Sequence, residues 1–299
     1  MENIHSLTTE GVNPNTKDID RVSTLEMVKM INEEDKNVAL AVEKELPNIA
    51  KAVDEMAERF KKGGRIIYIG AGSSGRLGTM DAVELTPTYN VDPDLAFGIL
   101  AGGEKAMYRA VEGAEDSREL AVEDLKNVSL CEEDIVIGVA ASGRTPYTIS
   151  ACEYANEVGA LSIAVTCNGN SEMAKVAKIS IAPVVGPEVV SGSTRMKAGT
   201  AQKMVLNMLS TGTMIKIGKV YHNFMVNVQP TNEKLVKRAS NMLANLLNLN
   251  IEDASKRLED ADMSVATAII MYEKKVDCTA AKDALDKAQG NILNAMELL

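Results

Sequence analysis

Arg65-Ile66-Ile67-Tyr68-Ile69-Gly70-Ala71-Gly72-Ser73-Ser74-Gly75-Arg76 is an apolar run stopped by glycines and followed by a helical pattern. That is the start of a strand–loop–helix unit. The same texture returns at Leu95–Leu100, Asp134–Ala140, Leu161–Thr166 and Ile179–Ala182, with helix-like segments between the runs. Near-continuous apolar strands alternating with helices predict a parallel sheet covered on both faces. The expected fold class is therefore α/β, a doubly wound five-stranded parallel sheet, with N-terminal helices before it and a small all-helical domain after it. In such sheets ligands sit beyond the C-terminal ends of the strands, near a topological switch point. The loops after the strands are the ones to read for chemistry.

Outward from the sheet, the first twenty residues are polar and read as extended. Ser23-Thr24-Leu25-Glu26 is a capping box that opens a helix running to about Leu46, where Pro47 interrupts. A second amphipathic helix continues through Phe60 and stops at Lys61-Lys62-Gly63-Gly64, basic residues followed by glycines. Beyond Thr231 the strand signal disappears, and Glu233–Leu249, Ile251–Asp260, Ser264–Lys275 and Thr279–Lys287 read as helices. The expected division is an N-terminal segment with helices over 1–62, a sheet domain over 63–232 and a helical domain over 233–299.

Composition excludes several functions. The 299 residues carry 32 Lys and Arg against 42 Asp and Glu, a net charge of −10 that repels phosphate backbones and anionic lipid. Nucleic acid is not an expected partner, and 3% aromatic content leaves little for base stacking. The longest charge-free stretch, Val158–Ser171, is 14 residues and partly polar, so no membrane span is expected. The N-terminus has no basic and apolar leader pattern, and Cys131, Cys152, Cys167 and Cys278 are too sparse for a disulfide scaffold. A cytoplasmic protein with buried free thiols is expected. With His5 and His222 as the only histidines, a His-rich metal site or a Ser-His-Asp triad has almost nothing to work with.

Gly70 to Gly75 spells the dinucleotide fingerprint, yet the acidic residue that should end the next strand is absent; that strand closes on Leu100-Ala101-Gly102-Gly103. A better explanation is repetition. Ser-Gly-Arg occurs at 74–76 and again at 142–144, each time between a strand and a helix, and Pro146 suits the first turn of the second helix. Hydroxyls, backbone N–H groups and a helix N-terminus together favour a phosphate. A third polar loop, Gly186–Lys203, carries Ser191, Ser193, Thr194, Arg195 and Lys197 ahead of a long apolar helix. It reads either as part of the site or as a turn that orients that helix.

At these residues the chain resembles a known family. Gly186–Lys203 is similar to the signature shared by N-acetylmuramic acid 6-phosphate etherases and the glucokinase regulatory protein, and Ala141–Pro146 resembles the substrate loop of the sugar isomerase (SIS) domain. The likeness extends to Thr9-Glu10, Ile19–Arg21, Asp81–Thr88 and Val111–Asp116, and so to essentially the whole chain. One departure is Leu85-Thr86-Pro87 where these etherases tend to have Cys-Pro-Pro; the carboxylate before it, Glu84, is retained.

The resemblance implies removal of D-lactate from carbon 3 of the sugar phosphate by elimination and rehydration, in cell-wall sugar recycling, with no metal and no redox cofactor. It implies Glu84 as the acid at the lactate oxygen, hence a partly desolvated Glu84, and Glu115 as the base at carbon 2 or a helper for water. It implies Ser73, Ser74, Ser142, Gly143, Arg144 and Thr145 as ligands of the sugar phosphate, with Arg144 serving either the phosphate or the lactyl carboxylate. Glu188, Ser191, Ser193 and Lys197 fall in the third loop without an assigned role. It also implies a homodimer with the site near the interface, and a ubiquitin-associated-type C-terminal fold. The competing readings are a sugar-phosphate-binding regulator and a sugar-phosphate isomerase.

Overall fold

In the computed structural model, residues 9, 11–227 and 232–299 are described. His5, Glu10 and the end of the expected sheet domain at 228–231 lie outside them. The segment before the first helix is not simply extended. Asn13 caps a 3-10 turn at Pro14–Thr16, and a second follows at Ile19–Arg21.

The capping box at Ser23 opens α1 (Thr24–Glu43), with the Ser23 hydroxyl accepting from the Glu26 N–H. Pro47 lies in the first turn of α2 (Leu46–Lys61), where its missing N–H costs nothing. Five strands follow: β1 (Ile66–Gly70), β2 (Ala96–Leu100), β3 (Ile135–Val139), β4 (Leu161–Val165) and β5 (Ile179–Ile181). Between and after them run α3 (Gly72–Tyr89), α4 (Lys105–Tyr108), α5 (Arg118–Asn127), α6 (Pro146–Val158), α7 (Glu172–Val176) and α8 (Lys197–Lys216). Every strand pairing is parallel, in the order β2-β1-β3-β4-β5. The order reverses at β1, so the switch point lies between β1 and β3, whose last residues Gly70 and Val139 are level in register.

Strand alternation sends Ile67, Ile69 and Val136 to the face covered by Ala121, Leu125, Tyr147 and Ala151 of α5 and α6. On the opposite face Gly78 of α3 lies against Tyr68, whose Cβ a Cβ at this glycine would meet at 2.7 Å. At the start of the sheet, Arg65 locks β1 to β3. Its backbone N–H and its guanidinium both bond Asp134, the latter at 2.6 Å. Burial pushes the Asp134 carboxyl up, but the Arg65 bonds outweigh it and hold the group below its ordinary value.

Two compact units are present. The first holds the described residues up to Val83 with Pro93–Gly212, and the second holds Glu84–Asp92 with Thr213–Leu299. The second contains α9 (Glu233–Leu247), α10 (Ile251–Asp260), α11 (Val265–Lys274), α12 (Cys278–Lys287) and α13 (Ile292–Glu297). Leu243, Leu258, Ile269, Ala281 and Ile292 draw all five helices into one core. The last helix carries no sequence expectation; it is six residues long, capped by Asn291. Cys152 and Cys167 are buried free thiols as expected, whereas Cys131 is exposed and Cys278 half-buried. Among the described residues, no helix is long and apolar enough to cross a membrane.

Candidate active site

Loops singled out in the sequence converge where the strand order reverses. A cleft of about 370 Å³ is lined by Ser73 and Ser74 from the β1–α3 loop, Ser142, Arg144 and Thr145 from the β3–α6 loop, and Glu115, Asp116 and Thr194. Ser73 and Ser74 occupy the first turn of the 18-residue α3, and Thr145 caps the 13-residue α6. Two helix N-termini and their free N–H groups thus face one cavity, an arrangement suited to a phosphate.

The local sequence explains why the loops can come so close. At Gly75 a Cβ would meet the Gly70 carbonyl oxygen at 2.5 Å, so this glycine of the fingerprint is spent on packing the helix against its strand. Gly143 has φ +67° and a Cβ there would meet the Ser171 hydroxyl at 2.3 Å, so the Ser142-Gly143-Arg144 turn needs glycine twice over. The Thr145 side chain makes no capping bond, and the Ser142 hydroxyl accepts from the Arg144 N–H at 3.2 Å. Arg144 is half-buried, and its Nη1 is shielded with no hydrogen-bond partner among the described residues.

Glu115 sits exposed on a 3-10 turn, Ala114–Asp116, entered through Gly113 in the left-handed region. Glu84 is placed differently. It is exposed, lies eleven residues further along α3 than Ser73, and is not among the cleft-lining residues. The desolvation expected of a general acid is not found around it.

The third loop divides. Thr194 reaches the cleft, while Ser191 is exposed and donates to the Gly11 carbonyl at 3.3 Å, and Ser193 is half-buried. Glu188 and Lys197 are fully buried and engaged. The Glu188 carboxylate accepts from the Lys197 and Ala198 N–H groups, both at 2.9 Å. The α8 N-terminus is therefore occupied by the chain's own carboxylate. Lys197 donates to Glu34 of α1 at 2.6 Å, and Asn15 donates to the other Glu34 oxygen at 2.8 Å. These bonds suit a structural role: they tie the signature loop to the N-terminal helix.

Two buried residues that bond these loops escaped the sequence reading. Gln202 is 1% exposed and its Oε1 accepts from the Ser74 hydroxyl at 3.0 Å. Asn168 donates to the Ala141 and Ser142 carbonyls at 3.1 and 3.3 Å, pinning the second serine loop from beneath. Gln202 lies within the quoted signature, but an interior helix glutamine carries no local signal.

Comparison with known proteins bears on this arrangement. Residues 48–156 match the sequence profile of the glucokinase regulatory protein N-terminal SIS domain, and 113–212 match that of the SIS domain. The N-acetylmuramic acid 6-phosphate etherase 1 of Enterococcus faecalis is 61% identical over 290 residues, 97% of either chain. The chain belongs to the N-acetylmuramic acid 6-phosphate etherase family. Etherases of that name from Clostridium botulinum and Clostridium beijerinckii are 60% and 58% identical, over 98% and 99% of this chain and 97% of each relative. Among solved structures, a Bacteroides fragilis protein described as a phosphosugar isomerase shares the fold, with TM-score 0.52 and 18% identity over 67% of this chain and 95% of that one. The match to these etherases spans nearly the whole chain, whereas the likeness to that structure concerns the fold alone.

Proposed function

We propose that this protein is an N-acetylmuramic acid 6-phosphate etherase, which cleaves the D-lactyl ether of its substrate to give N-acetylglucosamine 6-phosphate and D-lactate. The observation that carries the reading is the joint lining of one cleft by Ser73, Ser74, Ser142, Thr145 and Glu115. The hydroxyls and the two helix N-termini take the 6-phosphate. With the sugar open, the carbon-1 aldehyde acidifies the carbon-2 proton. Glu115, at the mouth of the cleft, removes that proton. The electron pair forms the carbon 2–carbon 3 double bond, and the carbon 3–oxygen bond breaks. A second group protonates the departing lactate oxygen, and water then adds at carbon 3. Each positioned proton transfer is worth about 10²–10⁴-fold.

Glu84 is the residue we assign to the lactate oxygen. Along α3 it stands about 16 Å from Ser73 at 1.5 Å per residue, more than the distance from the phosphate to carbon 3 of a hexose. The assignment therefore has Glu84 serve the cleft of a second copy, in a homodimer. Exposed Leu25, Val28 and Leu40 of α1 and Met80 and Val83 of α3 support such pairing. The reducing cytoplasm is the compartment we propose, and the free buried thiols support it. We also take 233–299 as a separate helical domain.

The test is D-lactate release from N-acetylmuramic acid 6-phosphate by the wild type, Glu84→Ala and Glu115→Ala. Release by the wild type and a loss of at least about 10²-fold in each variant is expected. A folded wild-type protein that binds the sugar phosphate but releases no lactate would overturn the reading.

A further inference from the structure

The cleft has a second lobe of about 240 Å³ that shares Ala71, Gly72, Ser73 and Glu115 with the first. Its far wall is built by a clamp. The Arg76 guanidinium donates to the carbonyls of Ala106, through Nε at 3.0 Å and Nη2 at 2.7 Å, and of Met107 at 3.1 Å. That fixes the single turn α4, whose C-cap is Arg109, with its N–H bonded to the Lys105 carbonyl. Arg109 in turn lines the lobe, six residues before Glu115 on the same segment. Arg76 and Arg109 line the lobe together with Glu112 and Glu115. Arg76 is spent on the α4 carbonyls, whereas the Arg109 guanidinium makes no ion pair among the described residues, so its donors remain for an added anion.

We infer that this lobe is the subsite for the lactyl carboxylate, and that Arg109 is the group that reads it. The inference rests on the etherase reading. With the phosphate held by the serine loops and carbon 2 at Glu115, the substituent on carbon 3 continues past Glu115 into the second lobe. The substrate carries a carboxylate there, and the sugar-phosphate product carries only a hydroxyl. A guanidinium is matched to a carboxylate by charge and by its planar pair of donors. Arg109 therefore separates substrate from product: it holds the lactyl ether and has nothing to hold once lactate has left.

The test compares wild type, Arg109→Ala and Arg109→Lys. KM is measured for N-acetylmuramic acid 6-phosphate, and the inhibition constant for N-acetylglucosamine 6-phosphate. For Arg109→Ala a KM about 10–100-fold higher is expected, in the range of a lost charge-assisted bond, with the inhibition constant of the product unchanged. Arg109→Lys should recover part of the loss, because it keeps the charge and loses the fork. An unchanged KM in Arg109→Ala overturns the subsite. An equal loss for substrate and product also overturns it, since Arg109 would then touch a part common to both. Absence of lactate release by the wild type is a separate result and removes the etherase reading itself.

Discussion

Ser74 donates its hydroxyl proton to Gln202 Oε1, so its lone pairs are what it offers to the cleft. That polarity opposes a phosphate oxygen. Gln202 has the means to reverse it, because its buried Nε2 has no partner among the described residues. Half a turn of the amide lets Nε2 donate to the Ser74 oxygen and frees the hydroxyl proton for the ligand. A carboxylate cannot do this; it only accepts. Gln202→Glu should therefore raise KM for the sugar phosphate about tenfold with kcat little changed. In a Ser74→Ala background the substitution should have no further effect on KM, because the two residues act as one unit. Steady-state kinetics on the wild type, the two single variants and the double variant check this, and a Gln202→Glu enzyme with the wild-type KM contradicts it. None of this was legible in the sequence, which marks Ser74 through its loop and leaves Gln202 as one polar residue among many in a helix.

At the level of elements, the signature loop binds secondary structures together more than it binds a ligand. Glu188 satisfies the first N–H groups of α8, and Lys197 pairs with Glu34 across to α1. Burial alone would raise the Glu34 carboxyl; the bonds from Asn15 and Lys197 outweigh it and hold it below 4.5. A carboxyl whose folded value is depressed stabilises fully above its unfolded value and loses that contribution as pH falls through the folded one. Wild type should exceed Glu34→Gln in resistance to urea at neutral pH. The difference should narrow once pH drops below about 4.5. Urea midpoints between pH 7 and 3 measure it, and a gap that stays constant across that range contradicts the pairing. Here the sequence carried half the answer. It showed a polar loop ahead of a helix and allowed that it only orients the helix. The partner, Glu34, is 163 residues away from Lys197 in the chain and could not be read locally.

At the scale of the whole molecule, Glu84 and Glu115 pose the main geometric question, because α3 carries Glu84 three turns away from the serine loop. If each site draws Glu84 from one subunit and Glu115 from the other, two inactive variants can complement. Glu84→Ala and Glu115→Ala subunits, unfolded and refolded together, should recover about a quarter of wild-type activity, since half the dimers are mixed and each has one intact site. Glu84 and Glu115 acting within one chain give no recovery. Lactate release from the mixture decides the matter.

Local patterning was enough to place the strands, the order of strand and helix along the chain, and the loops proposed here for chemistry. Apolar runs such as Ile66–Gly70 and Ile135–Val139 stand close to where their periodicity put them, because burial on both faces leaves a strand no other composition. The serine loops were legible because glycine and serine before a helix are a local signature. What the tertiary structure decided is which of these local signatures meet. Parallel order 2-1-3-4-5 brings residues 73–74, 115, 142, 144–145 and 194 to one cleft. The same packing buries Glu188 and Lys197, which from the sequence were equally good candidates for ligands. The physical reason is that the candidate site rests on distances between residues far apart in sequence, and those distances are set by side chains packing between the sheet and its helices.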